Sequence, residues 1–268
     1  MIVCTMFNPY LERWGLMPDG EPIITPTSRL LPVRLGNVPA MLKIAILDEE
    51  RAGGLLMTWW NGRGAAPVLA HEDNAILMER AKDGPSLAEI ARSGRDDEAS
   101  RIICSVLAKL HTPRGCPAPA LLSLREWFEP LLRAPVLDGI LRCAATTASH
   151  LLANQRDTVV LHGDIHHGNI LNFGLRGWLA IDPKGLVGER SFDYANIFCN
   201  PDQEMATMPG RLLRQTQVVA QIAQLPQRRL LAWKLAWAGL SAAFSINDRL
   251  SPDDALGIAE LAAMELSH

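Results

Sequence analysis

Residues 159 to 171 read VVLHGDIHHGNIL, setting His162, Asp164, His166, His167 and Asn169 in one short loop between apolar runs. Two chemistries use such a cluster. The histidines and the aspartate could be ligands of a metal-dependent hydrolase, which draws its imidazoles and carboxylates from several strand ends. Alternatively Asp164 and Asn169, five residues apart, could orient an acceptor hydroxyl and hold a metal ion in phosphoryl transfer. That reaction is catalysed by positioning and charge neutralisation. It asks for a lysine on the phosphates, a glutamate on the lysine, an aspartate at the acceptor, and an amide and a second carboxylate on magnesium.

The rest of the chain offers those parts in order. Lys43 sits inside the apolar run PAMLKIA, Glu50 follows with Glu49 beside it, and Asp182 ends WLAID, 18 residues after Asp164. Magnesium prefers hard oxygen ligands and keeps part of its water shell, so one carboxylate and one amide oxygen suffice. The hydrolase reading needs further ligands, and the other histidines, His71, His111, His150 and His268, lie in no comparable loop.

These residues need elements to position them. RLLPVRLGNVPAMLKIAIL reads as a hairpin turning at Gly36 and Asn37, DEERAGGLLMTWW as a helix stopped by NGRG, and PVLAHEDNAILMERA as two short strands. Up to about residue 82 the pattern is strands and turns with one helix. From there it turns helical: DDEASRIICSVLAKLH carries an apolar face with acids first and bases last. LREWFEPLL, ILRCAATTASHLLA and Leu230–Ile246 follow as helices, and TVVLHG and GWLAIDP are short strands inserted among them. The expected fold is α+β and two-lobed: a small β-rich lobe over 1–82 and a larger helical lobe over 83–268.

Composition sets the bounds. With 48% hydrophobic and 21% charged residues the chain can bury a large core, and a net charge of −3 argues against a nucleic-acid partner. The five scattered cysteines form no CxxC pair, so reduced thiols and a cytoplasmic location are expected. No signal peptide is evident. The most apolar stretch, Leu230–Ile246, is 17 residues long and contains Lys234, whereas a membrane span needs about 20 largely uncharged residues. No membrane partner is expected.

LHGDIHHGN and WLAIDPKGLVGERSFDYANIF resemble the catalytic loop and metal-binding segment of the aminoglycoside phosphotransferase family, small-molecule kinases with a protein-kinase-like fold. TWWNGRGAAPV, LMERA and GLSAAF are similar to its aminoglycoside/hydroxyurea resistance branch, which includes streptomycin 6-phosphotransferases. The resemblance implies transfer from ATP to an aminoglycoside, with the 6-hydroxyl of streptomycin as acceptor. It implies Asp164 as base, Asn169 and Asp182 on magnesium, Lys43 on phosphate and Glu50 on Lys43. The backbone around Glu79 and Ala81 would meet the adenine, and Asp193 would brace the catalytic loop together with His162. No GxGxxG precedes Lys43, so the hairpin around Thr27, Ser28 and Arg29 is the expected phosphate loop. A kinase of another alcohol (choline, homoserine or a sugar) stays open, as does an inactive binding module of the same shape. Among acids able to meet a cationic acceptor, Asp202, Glu204 and Asp248 are the candidates.

Overall fold

The structure is a computed structural model describing residues 2–134 and 139–267. It opens with α1 (Ile2–Trp14), β1 (Leu16–Pro18), β2 (Ile23–Ile24), β3 (Ser28–Leu35), β4 (Val38–Ala45), α2 (Asp48–Trp60), β5 (Val68–Glu72) and β6 (Ala75–Glu79). The strands form one antiparallel sheet in the order β1-β3-β4-β6-β5, with β2 beside β3. The hairpin turns at Gly36 and Asn37 as expected, because Gly36 adopts φ +58°. α2 ends where Asn61 enters the left-handed region and donates its N–H to Met57 O at 3.1 Å.

α1 is a second helix in this lobe, which the sequence reading did not include. Its Phe7 is buried against Leu16, Val33, Leu42 and Leu77, with Tyr10, Leu11 and Trp14 alongside. The spacing Phe7, Tyr10, Leu11, Trp14 is that of a helical stripe. Pro9 within the helix obscures the pattern.

The helical part contains α3 (Leu87–Ile90), α4 (Asp96–Leu110), β7 (Leu122–Ser123), α5 (Leu124–Trp127), α6 (Glu129–Leu132), α7 (Gly139–Ala153), β8 (Thr158–Leu161), β9 (Ile170–Asn172), β10 (Trp178–Ala180) and β11 (Leu186–Glu189). A 3₁₀ segment, Arg190–Cys199, leads to α8 (Gln203–Ala206), α9 (Arg211–Ala223), α10 (Gln227–Asn247) and α11 (Asp253–Ser267). The expected strands TVVLHG and GWLAIDP are β8 and β10, but they do not pair with each other. β8 pairs with β11, and β10 pairs with β9. Strands of three or four residues leave too little periodicity to read.

α10 is the core helix. Trp233 packs against Phe128 and Phe192 at 6.0 and 5.6 Å between ring centroids. At Gly239 a Cβ would lie 2.4 Å from Ala144 Cβ, so glycine lets α10 cross α7 closely. Each fully buried large apolar side chain here is worth about 1.5–3 kcal/mol. No described helix is long and apolar enough to cross a membrane. The described cysteines, Cys104, Cys116, Cys143 and Cys199, are free thiols.

Candidate active site

The catalytic-loop cluster leaves β8 and is pinned from beneath by the 3₁₀ segment. Asp193 accepts the N–H of His162 at 2.9 Å and of Gly163 at 2.7 Å, and His111 Nε2 donates to it at 2.8 Å. His162 is fully buried: its Nε2 donates to Ile181 O at 2.8 Å, and its Nδ1 accepts the Asp164 N–H at 3.3 Å. Burial pushes the His162 imidazolium down. Both ring nitrogens thus serve the loop, not a metal. Burial and the nearby Arg211 charge also push His167 down, to about 4, so that ring is an uncharged core group at neutral pH. Among the described residues no three histidine, cysteine, aspartate or glutamate side chains gather as a metal-ligand group. Gly163, at φ +87°, passes so close to Leu186 that a Cβ would lie 2.8 Å from its side chain.

Asp164 leaves this loop half-exposed, with Oδ1 accepting from Asn196 Nδ2 at 2.9 Å. Asn169 donates Nδ2 to Asp164 O at 2.9 Å, which turns its amide oxygen the other way. Ile181 N–H donates to Asn169 O at 2.9 Å, so Asn169 and Asp182 lie side by side at the open end of the β9–β10 hairpin. Asp182 sits at φ +64°, a left-handed conformation that aspartate tolerates better than most residues. Burial works to raise its carboxyl pKa. The adjacent Lys43 ammonium and the Glu50 hydrogen bond outweigh that and hold it below the usual range.

Lys43, buried at mid-strand in β4, bonds both Glu50 and Asp182. The helix that supplies Glu50 reaches the Asp182–Pro183 backbone through Gly53, where a Cβ would lie 2.4 Å from Pro183 O. Gly53 therefore permits the approach that joins Glu50, Lys43 and Asp182. Gly53→Ala is expected to cost about 1–3 kcal/mol of stability by overpacking and to weaken nucleotide binding. Gly257→Ala, with nothing within 4 Å of the added methyl, should do neither. Thermal unfolding and a nucleotide titration check both.

The sequence-predicted nucleotide residues divide. Ser28 is 3% exposed, and its amide and hydroxyl are both engaged with Thr25 Oγ1 inside the turn. Ser28 thus braces the loop, whereas Thr27 faces the cleft. Glu79 N–H, Arg80 N–H and Lys82 N–H donate to Pro67 O, Pro39 O and Asn172 O, leaving Ala81 N–H without a protein acceptor among the described residues. The Glu79 carboxylate is taken by Arg176, with both contacts at 2.8 Å.

A cavity of about 510 Å³ opens beside Asp164, Thr27 and Lys184, walled by Trp127, Trp237 and Phe244 with Asp248 at its rim. Trp127 meets Phe244 edge-on at 5.6 Å, and Lys234 Nζ, fully buried, rests 4.4 Å from the Trp237 ring centroid. Of the acids expected near the acceptor, only Asp248 is here. Asp202 and Glu204 line a separate cavity of about 590 Å³ between α8 and α9. Asp202 bonds Arg92 at 2.8 Å and caps α8.

The profile of the aminoglycoside/hydroxyurea antibiotic resistance kinase family matches residues 13–249. The chain belongs to this family. The kinase is 52% identical over 243 residues to a streptomycin 3''-kinase of Klebsiella pneumoniae, covering 89% of this chain and 91% of that one. It is 29% identical to a streptomycin 6-kinase of Streptomyces griseus, covering 90% and 82%. Among solved structures, an aminoglycoside phosphotransferase in ternary complex with ADP and hygromycin B matches at TM-score 0.63 and 16% identity, covering 96% of this chain and 97% of that one. The fold is therefore the protein-kinase-like one. Sequence reasoning about this kinase did not reach Asn196, Lys184, Trp127 or Trp237. The signal for Asn196 is its spacing of three from Asp193, one turn of a 3₁₀ helix.

Proposed function

We propose that this kinase transfers the γ-phosphoryl group of ATP to a hydroxyl of streptomycin in the cytoplasm, with Asp164 as the catalytic base. The observation that carries the reading is the cavity in which Asp164 faces three aromatic walls and Asp248. Streptomycin presents two planar guanidinium groups. Such cations stack on indole faces and pair with carboxylates in a bidentate fork. A neutral sugar would leave that carboxylate unmatched, and choline, a cation without an N–H, cannot donate to it in a fork. The acceptor site expected from sequence, the 6-hydroxyl, gives way in this proposal to the 3''-hydroxyl, supported by the 52% identity to a streptomycin 3''-kinase.

The nucleotide would lie between the lobes, with its adenine edge at Ala81 N–H and its phosphates at Lys43 and Thr27. Asn169 and Asp182 fit magnesium: they offer one amide oxygen and one ionised carboxylate on neighbouring strand ends, hard donors without a histidine cage. Bound there, magnesium would neutralise phosphate charge. Lys43, fixed between Glu50 and Asp182, holds the donor phosphates at the cleft. Asp164 accepts the hydroxyl proton as the phosphoryl group moves across, and Lys184 adds positive charge over the same cavity.

The experiment combines purified protein, Mg-ATP and a panel of streptomycin, kanamycin-type aminoglycosides and choline. Mass spectrometry is expected to find one phosphoryl group on streptomycin, none on choline and little on the kanamycin type. Two-dimensional NMR should place it on the 3''-oxygen. Phosphate on the 6-oxygen overturns the regiochemistry, and unmodified streptomycin beside another phosphorylated alcohol overturns the substrate. Asp248→Asn should raise the KM for streptomycin about tenfold, the scale of a lost charged hydrogen bond, with kcat kept. Asp202→Asn should leave KM unchanged.

A further inference from the structure

The geometry points to Asn196 as the positioning residue that fixes the Asp164 carboxylate for phosphoryl transfer, a role that rests on the reading of Asp164 as base. Asn196 is 6% exposed, and its Nδ2 donates to Asp164 Oδ1 at 2.9 Å. Its own oxygen accepts from Cys199 Sγ at 3.2 Å and from Asn200 Nδ2 at 3.0 Å. With two donors on the oxygen, the amide has only one usable orientation, and its N–H must face the carboxylate. One oxygen of Asp164 is thereby tied down. The other, 4.0 Å from His166 Nε2, remains for the acceptor hydroxyl.

The segment beneath is built to hold this position. In a 3₁₀ helix residues three apart fall on one face, so Asp193 and Asn196 address the same loop. Asp193 takes its backbone amides and Asn196 its reactive side chain. The far end is clamped by buried Arg211, which donates to Phe198 O at 3.1 Å and Asn200 O at 2.8 Å while paired with Asp96 at 2.7 and 3.0 Å. A half-exposed aspartate without such a tie would sample several rotamers, and each departure from the productive one lowers turnover without touching either substrate's binding surface.

Asn196→Asp tests the donation itself. It keeps the size and still accepts from Cys199 and Asn200, but sets an oxygen against Asp164 where an N–H stood. Expected is a loss in kcat of about 10²-fold, the scale of a small misplacement of a reacting group, with the KM for streptomycin and the affinity for Mg-ATP unchanged. In an Asp164→Asn background the same change should cost no further turnover, since the bond can re-form with donor and acceptor exchanged. Asn196→Ala, which adds no charge, should show the same split between kcat and KM. Normal turnover in a folded Asn196→Asp protein overturns the role. So does an equal loss in the Asp164→Asn background, which marks a merely structural residue. A wild-type protein that phosphorylates no alcohol sinks the functional reading, and this role with it.

Discussion

Asp164→Asn is expected to give a folded protein that binds Mg-ATP normally and turns over at least ~10²-fold more slowly, the scale of losing a general base. The substitution keeps size and shape, and the side chain is only half-buried. An asparagine oxygen can still accept from Asn196. What disappears is the proposed proton acceptor and its charge beside the aromatic cavity. Steady-state kinetics beside a nucleotide titration separate the two effects. A folded Asp164→Asn protein with near-normal kcat would exclude the assigned role, and another group would have to take the hydroxyl proton.

Asp182→Ala should abolish activity and remove the magnesium dependence of nucleotide binding. In the proposed site this carboxylate is the one firm anionic donor to the metal, and Asn169 alone would supply a neutral oxygen. Lys43 keeps Glu50, so no buried charge is stranded and the fold should survive. Asp182 is also in the left-handed region, which alanine adopts at a cost. Asp182→Asn removes that complication, because asparagine tolerates the conformation. Calorimetric titration of ATP with magnesium and with EDTA should show a large difference for the wild type and little for either variant. Retained magnesium-dependent binding in Asp182→Asn would refute the metal assignment. His162→Ala should instead lower the melting temperature by breaking its bonds to Ile181 and Asp164. A tightly held transition metal lost from that variant would revive the hydrolase reading.

What could be read from sequence was what is local. His162, Asp164 and Asn169 share a loop, and Lys43 and Glu50 share a strand and the helix after it, so their types and spacings suggest chemistry before any folding. The structure brings Lys43, Glu50 and Asp182 into contact and sets Asn169 beside Asp182, with His162 buried beneath. The cavity beside Asp164 was not legible, because Thr27, Trp127, Lys184, Trp237 and Asp248 come from segments that only packing unites. Counting acids could not separate Asp248 from Asp202 and Glu204, which the fold sends to different faces. Ser28 is ambiguous in sequence for a related reason: a serine beside a turn can turn outward or inward, and here it bonds Thr25, three residues earlier.

The seating of α2 on the Asp182–Pro183 backbone also bears on how such a protein could be inhibited. Beside Lys43, Glu50, Gly53 and Asp182 only about 20 Å³ is left open, room for roughly one water molecule. An ATP mimic extended behind the lysine–glutamate pair would have to pry the helix away and break that pair. Discrimination from other ATP-dependent enzymes is better sought in the cavity beside Asp164, where a cationic ring would meet Trp127, Trp237 and Asp248.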